Sequence, residues 1–239
     1  MIEELMILNK NKVNSCFEGL TFDEEKHKYT YQNRPMKAVS YVIKDFVEPF
    51  DEETSAIRVA EKRGTTKEEI LKEWETIRVN ACNEGTEAHL FGENYAFDRS
   101  LKPKTKLEEA IVGFWSIIPE HIKPFIMELK MFYKQIDIAG TADILLFDEK
   151  TEKFILADYK TNIDLFKNFK DKRLLSPFSD LLDCPFSKYI LQLNIYQIMF
   201  EQTGLEISHR ILVHITREGS FKTYRIPDIR DRVKKALGI

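Results

Sequence analysis

No run of apolar residues in this sequence approaches the length of a membrane-spanning helix, and the opening Met1-Ile2-Glu3-Glu4-Leu5 lacks the basic start of a secretory signal. Both absences lead us to expect a soluble, cytoplasmic protein with no membrane partner. Cysteine is scarce: Cys16, Cys82 and Cys184 are widely separated and have none of the paired spacing of zinc sites or disulfide frameworks. Excess positive charge is missing too, since 36 Lys and Arg against 39 Asp and Glu leave a formal charge of -3. That balance argues against long-range steering of nucleic acid but does not speak against a local site. Internal repeats and low-complexity segments are also absent. What the chain does have is 43% hydrophobic residues over 239 positions, enough for one substantial core, and we expect a single domain over 1–239.

Punctuation along the chain suggests how that domain is laid out. Residues 1–35 read as an irregular start followed by a small hairpin, with Tyr29-Thr30-Tyr31 as a strand and Gln32-Asn33-Arg34-Pro35 near its turn. A helical region follows over 40–118, in which Thr66 with Glu69 and Thr105 with Glu108 each fit a capping box, and Pro119 and Pro124 mark its end. Residues 126–160 supply three strands, and 163–184 form a long connection. A helix over 185–202 ends at Gly204, two strands over 207–216 and 221–226 meet at Glu218-Gly219, and a short helix over 227–237 closes the chain. The first 120 residues are thus a hairpin and helical lead-in, and 121–239 a sheet with flanking helices.

The chemistry concentrates on one predicted hairpin. Residues 138–147 and 153–160 are rich in Ile, Leu, Phe and Tyr and flank the polar turn Asp148-Glu149-Lys150-Thr151-Glu152. If Asp148 faces Lys153, a symmetric register brings Asp143 opposite Asp158, at a Cβ separation of roughly 4.5–5.5 Å. Two carboxylates that close repel each other, and a hard divalent cation relieves the repulsion. Lys160 shares the face of Asp158, where its ammonium can orient or help deprotonate a water or stabilise charge on a phosphate.

Gly140-Thr141-Ala142-Asp143 followed by Asp158-Tyr159-Lys160 resembles the paired motif of the PD-(D/E)xK nuclease superfamily. Further elements, in order, resemble its RecB-type exonuclease branch, which includes phage exonucleases and the mitochondrial genome-maintenance exonuclease. Gly85-Thr86-Glu87-Ala88-His89 resembles the branch's Gly-x-x-x-His helix, Glu128 the acidic residue before the metal-binding Asp, and Gln192-Leu193-Asn194-Ile195-Tyr196 its Gln-x-x-x-Tyr helix. The run from Phe22-Asp23-Glu24-Glu25-Lys26-His27-Lys28-Tyr29 to Ser40-Tyr41-Val42 is similar to the lead-in hairpin of phage members, so the resemblance covers about residues 20–200.

The resemblance implies an α/β fold: a restriction-endonuclease-like core with a central mixed β-sheet flanked by helices, plus an N-terminal helical region. It implies a metal-dependent deoxyribonuclease, an exonuclease acting on single-stranded DNA or at ends in phage or bacterial replication, recombination or repair, with a helicase or recombination protein as a companion. Mg(II) or Mn(II) would be held by Asp143, Asp158, His89 and the backbone carbonyl of Tyr159. The catalytic residues implied are Asp143, Asp158, Lys160 and Glu128, the last either supporting the metal through water or serving as a structural carboxylate. Some relatives carry a four-cysteine iron–sulfur cluster; three scattered cysteines cannot supply one, and we expect none.

Substrate contacts are expected from Gln192, Tyr189 and Tyr196, which recur at three- and four-residue spacing on one helical face, although both tyrosines also suit an amphipathic core. His89 likewise suits a hydrogen-bonded core position, and Glu93, one turn on, reads equally as its partner or as a solvated charge. Of three basic groups, Lys167, Lys170, Lys172 and Arg173, interleaved with Phe166, Phe169 and Phe178, best suit backbone tracking with base stacking. The groups at Lys102, Lys104 and Lys106 and at Arg230, Arg232, Lys234 and Lys235 read as solvated faces, and His27, His121, His209 and His214 as structural or surface residues. Two other functions stay open: a catalytically silent nucleic-acid-binding subunit of this fold, and a metal-dependent hydrolase of another substrate.

Overall fold

The computed structural model describes residues 2–24 and 26–239. Met1 and Glu25, which belong to the opening segment and the lead-in run, lie outside the described residues. The chain begins with a helix, α1 (Ile2–Cys16), where an irregular start was expected. This helix lacks a cap signature and carries Asn9, Asn11 and Asn14, all poor helix formers. Tertiary burial supplies what propensity lacks, because Val13 is fully buried and Ile2, Leu5 and Met6 pack against the main core.

Three short strands follow: β1 (Leu20–Asp23), β2 (Lys28–Tyr31) and β3 (Arg34–Ala38). The turn between β2 and β3 is tighter than expected. Gln32 and Asn33 both take positive φ, +47° and +61°, as a two-residue hairpin turn demands, so Arg34 and Pro35 already belong to β3. The helices α2 (Val39–Lys44), α3 (Glu52–Arg63), α4 (Lys67–Phe97) and α5 (Lys106–Ser116) come next. Both capping boxes form, Thr66 with Glu69 opening α4 and Thr105 with Glu108 opening α5. The first of these starts a single helix of 31 residues that runs through the motif carrying His89.

The sheet is completed by β4 (Ile122–Tyr133), β5 (Ile138–Asp148), β6 (Lys153–Lys160), β7 (Ile207–Ile215) and β8 (Phe221–Arg225). Pro124, expected to break structure, lies inside β4, where a register shift between Pro124 and Ile126 accommodates its missing N–H. The helices α6 (Pro185–Phe200) and α7 (Arg230–Leu237) flank this part. Strand order is β1-β2-β3-β5-β6-β7-β8, with β4 paired to β5 as well, so the N-terminal hairpin and the C-terminal half share one mixed eight-stranded sheet. Two apolar layers cover its faces. One gathers α1, α2, α6 and α7 over Leu145, Phe147, Phe154 and Leu156; the other gathers α4 and α5 over Ile144, Leu146, Ile155 and Ala157. Among the described residues, no helix is long and apolar enough to cross a membrane.

Sheet topology itself creates an opening. β4 occupies one edge of β5 along its length, whereas the other edge is shared: β3 pairs in parallel with Ile138 and Ala139, and β6 pairs antiparallel with residues 144–148. Among the described residues, no strand therefore lies beside 140–143 on that edge, and side chains from both faces can meet there.

Candidate active site

The β5–β6 ladder follows the expected register, from Asp148 opposite Lys153 to Ile144 opposite Ala157. Pairing stops one step short of Asp143 and Asp158, where the strands part. Instead of continuing the ladder, Asp143 Oδ2 accepts the Tyr159 amide at 2.8 Å and so caps its end. On the other side of β5, Met127 pairs with Ile144 and Leu129 with Ala142, which aligns Glu128 with Asp143. Three adjacent strands thus present Glu128, Asp143 and Asp158 in a row.

Glu128 has an unusual backbone. Its φ is +51°, the left-handed region that costs a non-glycine residue roughly 1–3 kcal/mol. Strict alternation would put Met127 and Leu129 on one face, yet they belong to opposite apolar layers. The left-handed residue between them reverses the alternation. Glu128 thereby joins the carboxylate of Asp143 and the ring of His89, and one ligand atom from each of the three lies within 4.8 Å of the others.

His89 comes from α4. Its Nδ1 is 3.4 Å from Asp143 Oδ2 and 3.9 Å from Glu128 Oε1. Two glycines bring α4 close to β6: a Cβ on Gly92 would stand 2.7 Å from the Tyr159 ring, and one on Gly85 would stand 3.4 Å from Thr161 Oγ1. The Tyr159 side chain is a packing element, accepting a 2.7 Å hydrogen bond from Trp115 Nε1 and lying edge-on to His89.

Charge is crowded in this opening. Burial, then the charges of Asp143, Glu93 and Asp158, push the Glu128 carboxyl from 4.5 up to about 8. Glu93 therefore acts on the acidic cluster electrostatically. Asp158 is 1% exposed; burial and the Asp143 charge raise its pKa while Lys160 opposes them. It forms an ion pair with Lys160, yet among the described residues neither of its carboxylate oxygens receives a well-formed hydrogen bond. Buried carboxylate oxygens left so short of donors suit a cation. Burial alone would lower the Lys160 pKa, but Asp158 and Asp143 overcome it and hold the ammonium well above its ordinary value. In the metal-free chain this favours the ammonium form, which suits orienting a water or meeting charge on a phosphate.

The later helix contributes from the opposite face. Lys160 Nζ lies 4.8 Å from the centre of the Tyr189 ring, and the Tyr189 hydroxyl donates to Asn162 Oδ1 at 2.6 Å. His214, also part of the structure's interior, donates from Nε2 to the Asn162 carbonyl at 2.6 Å and pins the chain just past Lys160. Gln192 Nε2 donates to the Tyr196 hydroxyl at 2.9 Å. Tyr196 differs from expectation as a substrate contact: it is 4% exposed, with its ring against Gly140 and its hydroxyl engaged by Gln192, so it offers no face to a base.

The basic segment also differs. Lys172 pairs with Glu48 at 2.9 Å, Arg173 donates to the Asp180 carbonyl, and Lys170 lies over the Phe169 ring; neither these three nor Lys167 lines the cavity beside Lys160. Phe178 is buried and Phe166 packs on Phe186 and Tyr224. Burial of Phe178 anchors this long connection and removes that ring from any stacking surface, whereas Phe166 and Phe169 stay exposed. Residues that the sequence did not single out take part instead. The Tyr29 hydroxyl meets Thr141 Oγ1 at 2.8 Å beside Asp143, and Phe50 and Lys188 line the cavity at Lys160. Signals existed for two of them: Thr141 shares a strand face with Asp143, and Lys188 lies four residues before Gln192.

Compared with known proteins, the chain matches no family model and no curated protein. A solved structure described as the crystal structure of SSO0001 is similar over 97% of this chain and 82% of that one, at 16% identity and a TM-score of 0.37. Similarity at that level carries no argument about function, which rests on the geometry of the site.

Proposed function

We propose that the chain is a metal-dependent deoxyribonuclease that hydrolyses phosphodiester bonds, built on the PD-(D/E)xK pattern its motifs resemble. The observation that carries this reading is the meeting of Glu128 and Asp143, from adjacent strands, with His89 from α4, next to the buried ion pair of Asp158 and Lys160 on the third strand. Carboxylate oxygens with a single imidazole form a donor set for a hard divalent cation, and the undersatisfied oxygens of Asp158 fit one. His89, Glu128, Asp143 and Asp158 are the side chains that would hold Mg(II) or Mn(II), with the Tyr159 carbonyl as the main-chain oxygen that the resemblance assigns. When bound, such an ion lowers the pKa of a water and neutralises charge on the departing oxygen.

The protein's own groups do the rest. Lys160, steadied between Asp158 and the Tyr189 ring, places a positive charge where a phosphate accumulates negative charge. The Tyr159 amide orients Asp143, and Gln192 lines the cavity beside Lys160. An exonuclease acting in DNA replication, recombination or repair is the form we favour, from the RecB-type order of the motifs.

A time course on end-labelled single-stranded, duplex and circular DNA with Mg(II) or Mn(II) tests the reading. Linear DNA should shorten and circles should resist. Asp143→Ala, Asp158→Ala and Lys160→Ala should each cut the rate by about 10²-fold or more while circular dichroism shows a folded protein. Undiminished cleavage by any of these variants would overturn the assignment, and DNA binding without cleavage by the wild type would mark a silent member of the fold.

A further inference from the structure

A cavity of about 720 Å³ opens beside Lys160 and is separate from the carboxylate cluster. Val47, Pro49 and Phe50, from the loop after α2, form an apolar wall; α6 forms the other wall with Tyr189 and Gln192. The volume is that of a small-ligand site. Double-helical DNA, whose major groove alone is about 12 Å wide, cannot enter it.

Three features select an occupant. Rings stand on both sides: Tyr189 on α6, and Phe50, which is 72% exposed yet held 6.3 Å from the Trp74 ring of α4. A large apolar ring left open at a cavity mouth is placed for stacking rather than for core packing. Hydrogen-bonding capacity is also unused. Gln192 commits its amide nitrogen to Tyr196, but among the described residues its Oε1 accepts no hydrogen bond, and the Ser40 hydroxyl across the cavity has no partner. Finally, Lys44 and Lys188 line the same cavity as Lys160; Glu48 also lines it but is paired with Lys172, and Lys188 with Asp183, so the slot carries three ammonium groups against one neutralised carboxylate. A nucleobase is a flat apolar ring with a polar edge, flanked in its strand by phosphates.

We propose that this cavity takes one unpaired base of a DNA strand, with an adjoining phosphate at Lys160, and so makes the site selective for single-stranded over paired DNA. A base within a duplex would first have to leave its stack and its partner, at a cost of a few kcal/mol. The identity of the strand rests on the nuclease reading, but the base pocket is tested apart from cleavage.

Fluorescence anisotropy in the presence of a chelator reads binding without hydrolysis. Labelled decathymidylate should bind the wild-type protein at least tenfold tighter than either an abasic oligodeoxynucleotide of the same length or a duplex. Phe50→Ala, at an exposed position, should weaken decathymidylate binding about tenfold, the low end for loss of one base–aromatic stack, and leave the abasic strand unaffected. Val47→Trp, which fills the cavity, should give the same pattern. No detectable binding of decathymidylate, equal affinity for it and the abasic strand, or an equal effect of Phe50→Ala on both would overturn the proposal. Discrimination without metal-dependent cleavage would defeat only the nuclease reading, and cleavage without discrimination only the base pocket.

Discussion

Glu128 combines a left-handed backbone with a carboxylate facing Asp143, Glu93 and Asp158. Both features disfavour the metal-free fold, and both aim one more oxygen at His89 and Asp143. The pH dependence follows from the direction of the shift. Below about 4.5 the carboxyl is protonated whether the chain is folded or not, and it costs nothing. Between there and about 8 the unfolded chain releases a proton that the folded chain retains, so stability falls as pH rises and the penalty is complete above about 8. Glu128→Gln removes the charge at nearly constant shape. Without metal, it should unfold at the same denaturant concentration as wild type at pH 4 and be more stable at pH 8.5. The gain should be on the order of 1 kcal/mol, because a third of the side chain is open to solvent screening. Calorimetric titration should show Mn(II) affinity at least tenfold weaker. A variant less stable than wild type at pH 8.5 would refute this account of the charge cluster.

Element packing explains parts of the motifs that carry no chemistry. In Gly140-Thr141-Ala142-Asp143, the glycine faces α6, and a Cβ there would stand 2.6 Å from Tyr196 Cε1 and 3.2 Å from a Val39 methyl. The ring cannot easily yield, since it is enclosed and its hydroxyl is engaged by Gln192. Gly140→Ala should therefore cost roughly 1–3 kcal/mol in denaturant unfolding, as overpacking of a tight core does. It should also weaken DNA binding at Gln192, because α6 has to move away from β5. An unchanged unfolding midpoint would show that the contact is loose. Asn194, inside the Gln-x-x-x-Tyr segment, has a similar structural part: its side chain donates to the Ile190 and Pro227 carbonyls and accepts from the Ile229 amide, tying α6 to the approach of α7. Capping boxes were legible because they are local; α1 was not, because only contacts with the distant core hold it.

For the whole molecule, the proposed metal site would link metal binding, protonation and folding. If Glu128 is a ligand, as proposed, it must be ionised to bind, so at pH 6 a cation would have to displace a proton that is largely gone at pH 8.5. Saturating Mn(II) should therefore raise the melting temperature more at pH 8.5 than at pH 6, and differential scanning calorimetry at the two values reads it directly. A larger rise at pH 6 would contradict the place given to Glu128.

Local chemistry in the sequence was sufficient for the strands around Asp143 and Asp158, their register, both capping boxes and the helix ended by Gly204, since alternation, turn residues and caps act over a few positions. It could not reveal that β3 and β6 share one edge of β5 and leave residues 140–143 open, because that depends on which distant strands pair. Nor could it show that Glu128 reverses the side-chain alternation of its strand, that Tyr196 is enclosed, or that the loop after α2 forms a cavity with α6. Those outcomes are set by competition among long-range contacts for the same buried space, and a residue's type does not record which contact prevails.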